Sequence, residues 1–316
     1  MRSLRLAFFG TPEFAAPTLE SLQEGPHPVV VVVTQPDRRR GRGKKLSPSP
    51  VAEIALATGT PLLRPESVST TEFAEELRPF EPDLGVVVAF GQFIPKRIRE
   101  LPSLGYMING HASLLPRFRG AAPIAHTILS GDTETGVSVM RLEREMDAGP
   151  VAAMRSIAIG VGETTGSLTE RLARLTADAI VDVVEEIAGD RVAWTPQDDS
   201  LATLAPKIER EDARLNFAEP ATALVRCVRA MAPKPGAFAM ERDRPLRILA
   251  AEAIPGSGDD APGTARIADD GSLRIATGDG WLVPRVLQRP GGRALDVRDF
   301  QRGRPISDGA RLWNEH

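Results

Sequence analysis

Short apolar runs alternate with segments of helical spacing along the first half of the chain. Four of these runs predict strands buried on both faces: LRLAFFG (4–10), PVVVVVTQ (28–35), LGVVVAFG (84–91) and GYMINGHAS (105–113). Continuous apolar strands separated by helices are typical of a parallel sheet that helices cover on both faces. The pattern therefore predicts an α/β fold with a Rossmann-like, mostly parallel sheet. Ligands are expected where its strands end, near Gly10, Gly91 and Asn109.

Helical spacing fills the segments between these strands. In TPEFAAPTLESL, Thr11 is the predicted N-cap and Pro12 the first helical residue. A long helix is predicted from Thr165 to Gly189, because apolar residues recur at helical spacing between them. Residues 190–208 have no clean period and predict a surface linker. The other predicted helices are PVAEIALATG (50–59), TTEFAEELRPF (70–80) and AAPIAHTILSG (121–131).

The pattern changes after about Lys207. One helix, EPATALVRCVRAM (219–231), is followed by short strand candidates divided by Gly, Pro and Asp, which predicts a small OB-like β-barrel. The chain is therefore expected to consist of a catalytic domain at 1–189, a linker at 190–208 and a smaller C-terminal domain at 209–316. The strand candidates are AFAME (237–241), PLRILAAEAI (245–254), GTARIA (263–268), GSLRIATG (271–278) and WLVPRVL (281–287).

Composition excludes several classes of protein. The 316 residues are 42% hydrophobic and 26% charged, as in ordinary globular proteins. The single cysteine, Cys227, excludes an intramolecular disulfide and a cysteine-built metal site, and it favours a reducing compartment. The longest aliphatic run, at 29–33, is far too short to span a membrane, and the first residues lack the apolar stretch of a signal peptide. We expect a cytoplasmic monomer that contacts no membrane and binds no metal.

The distribution of charge is uneven although the net charge is only −3. The run RRRGRGKK (38–45) places six cations in eight residues. A glycine-spaced basic run between turn residues is usually a mobile, solvated loop, and a nuclear localisation signal is another interpretation. Contact with RNA phosphates is the third, and the residues alone leave all three open.

Candidate chemistry lies at the end of the last predicted strand of the sheet. Asn109 and His111 stand at i and i+2, so their side chains face the same point. An amide donor beside an imidazole suits an oxygen that gains negative charge during attack on a carbonyl, and the imidazole can also move a proton. Asp147, in the turn REMDAGP, is the best carboxylate to orient the imidazole. A structural histidine and a turn-capping aspartate are the alternative interpretation of these residues.

Together these residues resemble the folate-dependent formyltransferases. The motif Asn-x-His-x-Ser-Leu-Leu-Pro-x-x-Arg-Gly-x-x-Pro runs from Asn109 to Pro123, and Asp147 opens an Asp-x-Gly sequence 36 residues after His111. The stretches FGTPEFA, TQPDRRRGRGKKLSPSPV, VVVAFGQFIP and APKIEREDARLNF are similar to the branch of the family that acts on aminoacyl-tRNA. The resemblance extends from Leu4 to about Gly303.

The resemblance implies that N10-formyltetrahydrofolate gives its formyl group to the α-amine of methionine on initiator methionyl-tRNA. Asn109 and His111 would hold the formyl oxygen, and Asp147 would orient His111. The OB-like domain and the basic run would contact the tRNA, with Arg42 as the best single candidate. The implied folate-binding residues are Phe90, Gly91, Gln92, Phe93, Ser113, Leu114, Leu115 and Pro116. The implied tRNA-binding residues are Arg38, Arg39, Arg40, Arg42, Lys44, Lys45 and Lys207.

Three places depart from the family pattern, and three other functions compete. Gly110 stands where an aliphatic residue is usual, which would loosen the strand end. Lys234 stands where tryptophan is common, and the segment around Arg38 to Arg40 is more basic than usual. A formyltransferase acting on an amino-sugar nucleotide would use the same three catalytic residues, but it has no evident use for six clustered cations. A 10-formyltetrahydrofolate hydrolase would leave the basic run idle. An RNA-binding protein without enzymatic activity would not need Asn109, His111 and Asp147 together.

Overall fold

A computed structural model describes residues 2–40, 45–256, 260–268 and 271–312, and its chain divides into two compact units. The first unit comprises Met1–Pro123, Glu134–Ala158 and Thr169–Pro206. The second comprises Ile124–Thr133, Ile159–Leu168 and Lys207–His316. Two short segments that precede residue 189 thus group with the second unit, and residues 190–206 group with the first. The predicted domain limits at 189 and 208 stay a prediction.

The strands and helices up to Ala188 have nine residues or fewer, except for one helix of 24 residues. The strands are β1 (Leu6–Gly10), β2 (Val29–Val33), β3 (Arg38–Arg40), β4 (Lys45–Ser47), β5 (Leu62–Leu63), β6 (Leu84–Val88), β7 (Met107–His111), β8 (Glu134–Arg141) and β9 (Val151–Ala158). The helices are α1 (Ala16–Glu24), α2 (Pro50–Thr58), α3 (Thr71–Leu77), α4 (Lys96–Arg99), α5 (Pro123–Ser130) and α6 (Thr165–Ala188).

Among the described residues, seven of these strands form one sheet in the order β5-β2-β1-β6-β7-β8-β9. The pairs from β5 to β7 are parallel, whereas β8 and β9 are antiparallel to their neighbours. This mostly parallel sheet with helices confirms the predicted fold class. The apolar pattern did not predict β9, whose residues are mainly half-buried or exposed.

The carboxyl ends of β1, β2 and β6 meet at one edge of the sheet. Thr11 Oγ1 donates to the Phe90 carbonyl at 3.0 Å, and Gln35 Nε2 donates to the same carbonyl at 2.9 Å. The prediction that Thr11 caps a helix is therefore wrong, because the strand edge uses its hydroxyl. A 3-10 turn at Glu13–Ala15, with Pro12 at its N-cap, precedes α1.

The starts of α2 and α3 follow from side-chain capping. Ser49 Oγ accepts a hydrogen bond from Ala52 N at 3.0 Å, and Thr70 Oγ1 accepts one from Phe73 N at 3.1 Å. Each hydroxyl satisfies an amide that has no partner inside its own helix. Helix α2 ends at Gly59, whose left-handed backbone suits glycine.

One face of the sheet packs against α3 and α4 in a single apolar cluster. Because strand side chains alternate between the faces, Asn109 and His111 continue the face of Met107 beyond the end of this cluster. The site is therefore positioned by a strand whose inner half is fixed in the core. The buried members of the cluster include Phe9, Val33, Val87 and Met107 on the strands, and Phe73, Leu77 and Ile98 on the helices.

The second unit contains a curled antiparallel sheet. Its elements are α7 (Ala221–Met231), β10 (Phe238–Glu241), β11 (Arg244–Ile254), β12 (Ala265–Ile267), β13 (Leu273–Ala276), β14 (Trp281–Gln288), β15 (Leu295–Asp296) and α8 (Val297–Gly303). In the described part of the chain the order is β10-β11-β14-β13-β12, and β15 pairs with β14. Leu312 joins the two edges, because its N–H donates to Gly263 O at 2.9 Å and its carbonyl accepts from Met240 N at 3.2 Å. This closure confirms the predicted OB-like domain.

Candidate active site

His111 ends β7 with both imidazole nitrogens facing oxygen atoms of the protein. Its side chain is 7% exposed. Nε2 lies 2.9 Å from the Phe118 carbonyl oxygen, and Nδ1 lies 3.5 Å from Asp147 Oδ2. The carbonyl is a hydrogen-bond acceptor, so Nε2 donates to it. The ring is thus oriented from both sides, and a proton that arrives at Nδ1 meets a carboxylate.

Asp147 lies in the turn between β8 and β9 and has a left-handed backbone, with φ at +53°. Aspartate tolerates this region better than most residues do. Its Oδ2 also accepts a hydrogen bond from Gly120 N at 2.9 Å. Asp147 is therefore a turn residue and a contact of His111 at once, and these are the two interpretations that its sequence context leaves open.

Two further backbone positions support this arrangement. Phe118, whose carbonyl contacts His111, is also left-handed, with φ at +59°. A Cβ at Gly120 would lie 2.5 Å from the Ala205 carbonyl oxygen, so the chain passes too closely there for any other residue. Left-handed non-glycine residues are costly and tend to occur at functional sites. Here two of them face the two nitrogens of one imidazole.

Asn109 differs from its neighbour because its side chain is available. It is half-buried on β7, between β6 and β8. Among the described residues, the Asn109 amide forms no hydrogen bond. A half-buried amide whose donors are unused by the protein is suited to hold a ligand oxygen.

Gly110 lies between these two residues on the opposite face of β7. A Cβ at this position would lie 2.6 Å from Thr176 Cγ2 on α6. Thr176 is fully buried, and its hydroxyl donates to the Leu172 carbonyl at 2.7 Å, which fixes its rotamer. The expected loosening of the strand end by glycine is therefore wrong, because the methyl group of Thr176 fills the space of the missing side chain.

The residues from Ser113 to Pro116 form a compact loop after β7. Ser113 is fully buried and donates to the Arg117 carbonyl at 2.6 Å. Leu115 is buried with Met140 and Val151. These two side chains support the loop, whereas Leu114 and Pro116 are half-buried.

The residues from Phe90 to Phe93 form the loop after β6. The Phe90 ring is 2% exposed and packs edge-on against Phe9. Gln92 is tied to a neighbouring loop, because its Oε1 accepts from Val68 N at 3.0 Å. Gly91 is left-handed and exposed, and the Phe93 ring is 64% exposed. The backbone at Gly91 and the ring of Phe93 are thus the parts that a ligand could contact.

The described ends of the basic run lie on two paired strands, because β3 and β4 are antiparallel, and we call these two strands the basic hairpin. At residues 38–40 and 45 this pairing differs from the expected loop. Arg38 and Arg39 on β3 are exposed. The predicted contacts Arg42 and Lys44 lie outside the described residues, as do the side chains of Arg40 and Lys45. The predicted contact Lys207 belongs to the second unit, where it is exposed and pairs with Glu209 at 3.1 Å.

Sequence reasoning missed one residue that touches the site's turn. Gln197 Nε2 donates to the carbonyls of Asp147 and Gly149, each at 2.7 Å. Its Oε1 accepts from Arg119 Nη2 at 2.8 Å. Gln197 lies in the stretch without a hydrophobic period, so no pattern in the sequence distinguishes it from a surface residue.

The described residues contain neither a candidate metal site nor a candidate membrane-spanning helix. No group of three or more His, Cys, Asp or Glu side chains there is arranged to hold a metal ion. Over the same ranges, no helix combines the length and the apolar composition that a membrane span requires.

Comparisons with known proteins agree with the resemblance noted in the sequence. The family model described as "Formyl transferase" matches residues 4–184, and the model "Formyl transferase, C-terminal domain" matches residues 207–305. A protein named methionyl-tRNA formyltransferase from Methylococcus capsulatus is 45% identical over 297 residues, which cover 94% of this chain and 96% of that protein.

Two solved structures share the fold. One is an N-formyltransferase from Helicobacter canadensis in complex with folinic acid and dTDP-3-aminofucose, with a TM-score of 0.66, 15% identity, and coverage of 91% of this chain and 100% of that chain. The other is HypX from Aquifex aeolicus in complex with tetrahydrofolic acid, with a TM-score of 0.60 and 19% identity. The match covers 95% of this chain and 47% of that chain. Because both family models and a relative at 45% identity match nearly the whole length, this chain belongs to the formyl transferase family.

Proposed function

We propose that this protein transfers the formyl group of N10-formyltetrahydrofolate to the α-amine of methionine on initiator methionyl-tRNA, for the initiation of translation. One observation carries the proposal. Asn109 and His111 lie at the end of β7, with Asp147 3.5 Å from His111, in a chain that is 45% identical, over 94% of its length, to a protein named for this activity.

In this reaction the amine nitrogen bonds to the formyl carbon, the bond from that carbon to N10 breaks, and the amine proton is balanced by the proton that N10 gains. Asn109 would donate its amide hydrogens to the formyl oxygen as negative charge develops there. Donors placed in advance at such an oxygen stabilise the transition state more than the ground state. The absence of a competing partner for Asn109 among the described residues supports this role.

His111 and Asp147 would handle the charge and the proton. The neutral imidazole donates from Nε2 to Phe118, and its Nδ1 faces Asp147 at 3.5 Å. When the ring takes up the amine's proton, through water, both N–H groups already have an acceptor. His111 can therefore become cationic beside the developing negative charge without a rearrangement, and Asp147 would stabilise that cation.

The folate-binding loops fit a flat ring system with polar edges. The exposed ring of Phe93 offers a stacking surface, and Gly91 leaves its backbone accessible beside it. Pro116 and Leu114 would supply the apolar wall on the side of β7. The buried side chains of this set, such as Ser113, would act by shaping their loop.

The tRNA would be held by the exposed cations of the hairpin and by the second unit, including Lys207. Arginines bind phosphates well because their planar donors match two oxygens at once. The proposal includes a monomer that acts in the cytoplasm, with a catalytic domain at 1–189, a linker at 190–208 and a tRNA-binding domain at 209–316. Light scattering of the purified protein checks the monomer.

A direct assay separates this function from its rivals. Formyl transfer from N10-formyltetrahydrofolate is measured with charged initiator tRNA, with uncharged tRNA and with an amino-sugar nucleotide. We expect product only with the charged tRNA. If only the amino-sugar nucleotide gave product, the protein would be a sugar-modifying formyltransferase. Release of formate without an acceptor would indicate a hydrolase.

A further inference from the structure

The stretch from Thr195 to Ala205 lies against both loops that contact His111. Thr195 and Val151 exchange two backbone hydrogen bonds, at 2.8 and 2.9 Å, next to the turn that carries Asp147. Farther along, Arg119 N donates to Thr203 O at 2.9 Å, and Ala205 N donates to Arg119 O at 2.7 Å. A stretch that sequence analysis treats as a linker therefore borders the candidate active site on two sides.

Gln197 is the side chain that joins these two loops. Its two amide hydrogens go to the carbonyls of Asp147 and Gly149, each at 2.7 Å. Its oxygen accepts from Arg119 Nε at 3.1 Å and from Arg119 Nη2 at 2.8 Å. These partners also determine the orientation of the amide, because a flipped amide would place donors against donors and acceptors against acceptors.

The turn at Asp147 needs such support because its own backbone does not favour it. A left-handed residue other than glycine costs free energy and persists only where its surroundings hold it. At Gly149 the chain passes so close to the Arg141 carbonyl that a Cβ would lie 1.9 Å from its oxygen. The carbonyls of Asp147 and Gly149 accept hydrogen bonds from Gln197. These bonds hold the backbone from which the Asp147 carboxylate faces His111.

We propose that Gln197 is a positioning residue for formyl transfer, acting on His111 through the Asp147 turn. Arg119, whose side chain is 11% exposed, anchors Gln197 from the other loop. Glutamine suits this position because it supplies two donors and an acceptor at the required reach. Glutamate would keep the contact with Arg119 but would direct an oxygen at two carbonyls, and methionine would keep the length but lose every hydrogen bond. The inference rests on the proposed function for its kinetic consequences.

The main test compares Gln197→Met and Gln197→Glu with Gln23→Met. Gln23 is a matched control, because it is also half-buried in the first unit and donates to Thr58 and Thr60, both at 2.9 Å. We expect both Gln197 variants to lower kcat by about 10- to 100-fold, since small misplacements of catalytic groups have effects of this size. The KM values for folate and tRNA should stay within about twofold, and Gln23→Met should leave kcat unchanged.

A double-mutant cycle separates positioning from general support of the fold. In an Asp147→Asn background there is no carboxylate to position, so adding Gln197→Met should lower kcat by no more than about twofold. If Gln197→Met instead lowered kcat by its full factor in that background, the inference would be overturned. Equal losses for Gln23→Met and Gln197→Met would overturn it as well.

A second measurement does not depend on turnover. It therefore distinguishes a failure of this inference from a failure of the proposed function. Nitrogen NMR of histidine-labelled full-length protein at one fixed pH, with His111→Ala to assign the resonance, reports on the surroundings of His111 Nδ1, which lies 3.5 Å from Asp147 Oδ2. We expect Gln197→Met to move the Nδ1 resonance and Gln23→Met to leave it in place. An unmoved resonance in Gln197→Met would overturn the inference, whereas a wild-type protein that transfers no formyl group, with the resonance moved in Gln197→Met, would overturn only the function.

Discussion

The surroundings of His111 and the basic hairpin are built in opposite ways within the same unit. His111 is buried, and both of its ring nitrogens face fixed oxygen atoms. Arg38 and Arg39 on the hairpin are exposed, and no ion pair holds either of them among the described residues. The site holds His111 in place before any substrate binds, whereas Arg38 and Arg39 are left exposed.

This contrast matches two different physical tasks. A group that acts on a transition state must already be in place, because reorganisation during the reaction raises the barrier. A group that binds a phosphate gains affinity mainly by releasing counterions, which requires exposed charge but little fixed geometry. Substitutions at the site should therefore change kcat, and those on the hairpin should change KM for tRNA and its salt dependence.

The largest expected effect comes from His111 and Asp147. His111→Ala removes the proton carrier and should lower kcat by about 10²–10⁴. Asp147→Asn keeps the shape of the side chain but removes the charge that faces Nδ1 at 3.5 Å, so it should be nearly as severe. The two residues act as a unit, so the double variant should be little worse than the poorer single one. Single-turnover rates at saturating substrates test this, and penalties that multiply in full would show that Asp147 does not act through His111.

Asn109→Ala should have the next largest effect. It removes an amide donor without disturbing any hydrogen bond among the described residues, so the fold should be unaffected. Loss of one donor to a developing oxyanion typically costs about 10²–10³ in kcat. Affinities for folate and tRNA, measured by equilibrium binding, should stay nearly unchanged. A loss of affinity with a normal kcat would mean that Asn109 binds the ground state.

Sequence reasoning reached those parts of the molecule that depend on local pattern. Local sequence identifies β1, β2 and β6 by their apolar runs and α6 by its helical spacing. In these elements, the residues that become buried are close together in the sequence. The proximity of His111 and Asp147 was expected from the family motif and is present at 3.5 Å, while their roles stay a prediction.

The remaining features depend on contacts between distant residues. The hydroxyl of Thr11 looked like a helix cap, yet it donates to Phe90, which is 79 residues away. Gln197 meets the Asp147 carbonyl across 50 residues, in a stretch without any period. Likewise, nothing local in the sequence indicates that Thr176 compensates for Gly110. Such contacts between distant residues can be identified only in the folded structure.

Gly110 offers a smaller effect that tests how tightly the strand under the site is packed. Gly110→Ala would place a Cβ 2.6 Å from Thr176 Cγ2, and overpacking of this kind typically costs about 1–3 kcal/mol of unfolding free energy. Thr176→Ser removes that methyl group and keeps the hydroxyl that donates to Leu172. In the Thr176→Ser background, Gly110→Ala should therefore be nearly neutral in urea denaturation. If the penalty were the same in both backgrounds, the close fit between β7 and α6 would not be its cause.

The smallest effect is expected from Arg38 and Arg39, the exposed arginines of the hairpin. The double variant Arg38→Ala/Arg39→Ala should raise KM for tRNA by roughly tenfold, with kcat and folate affinity unchanged, because no group that contacts His111 is altered. Each lost phosphate contact should also reduce the slope of log affinity against log salt by about 0.7–0.9, so two contacts should reduce it by about 1.4–1.8. The control is Arg78→Ala/Arg97→Ala, which removes the same charge from two exposed arginines elsewhere in the first unit. Binding of tRNA is measured from low to physiological salt for both variants.

An equal change in the control would mean that tRNA responds only to the total charge of the protein. A fall in kcat for the hairpin variant would contradict the comparison, because it would show that these arginines contribute to the chemical step as well as to tRNA binding.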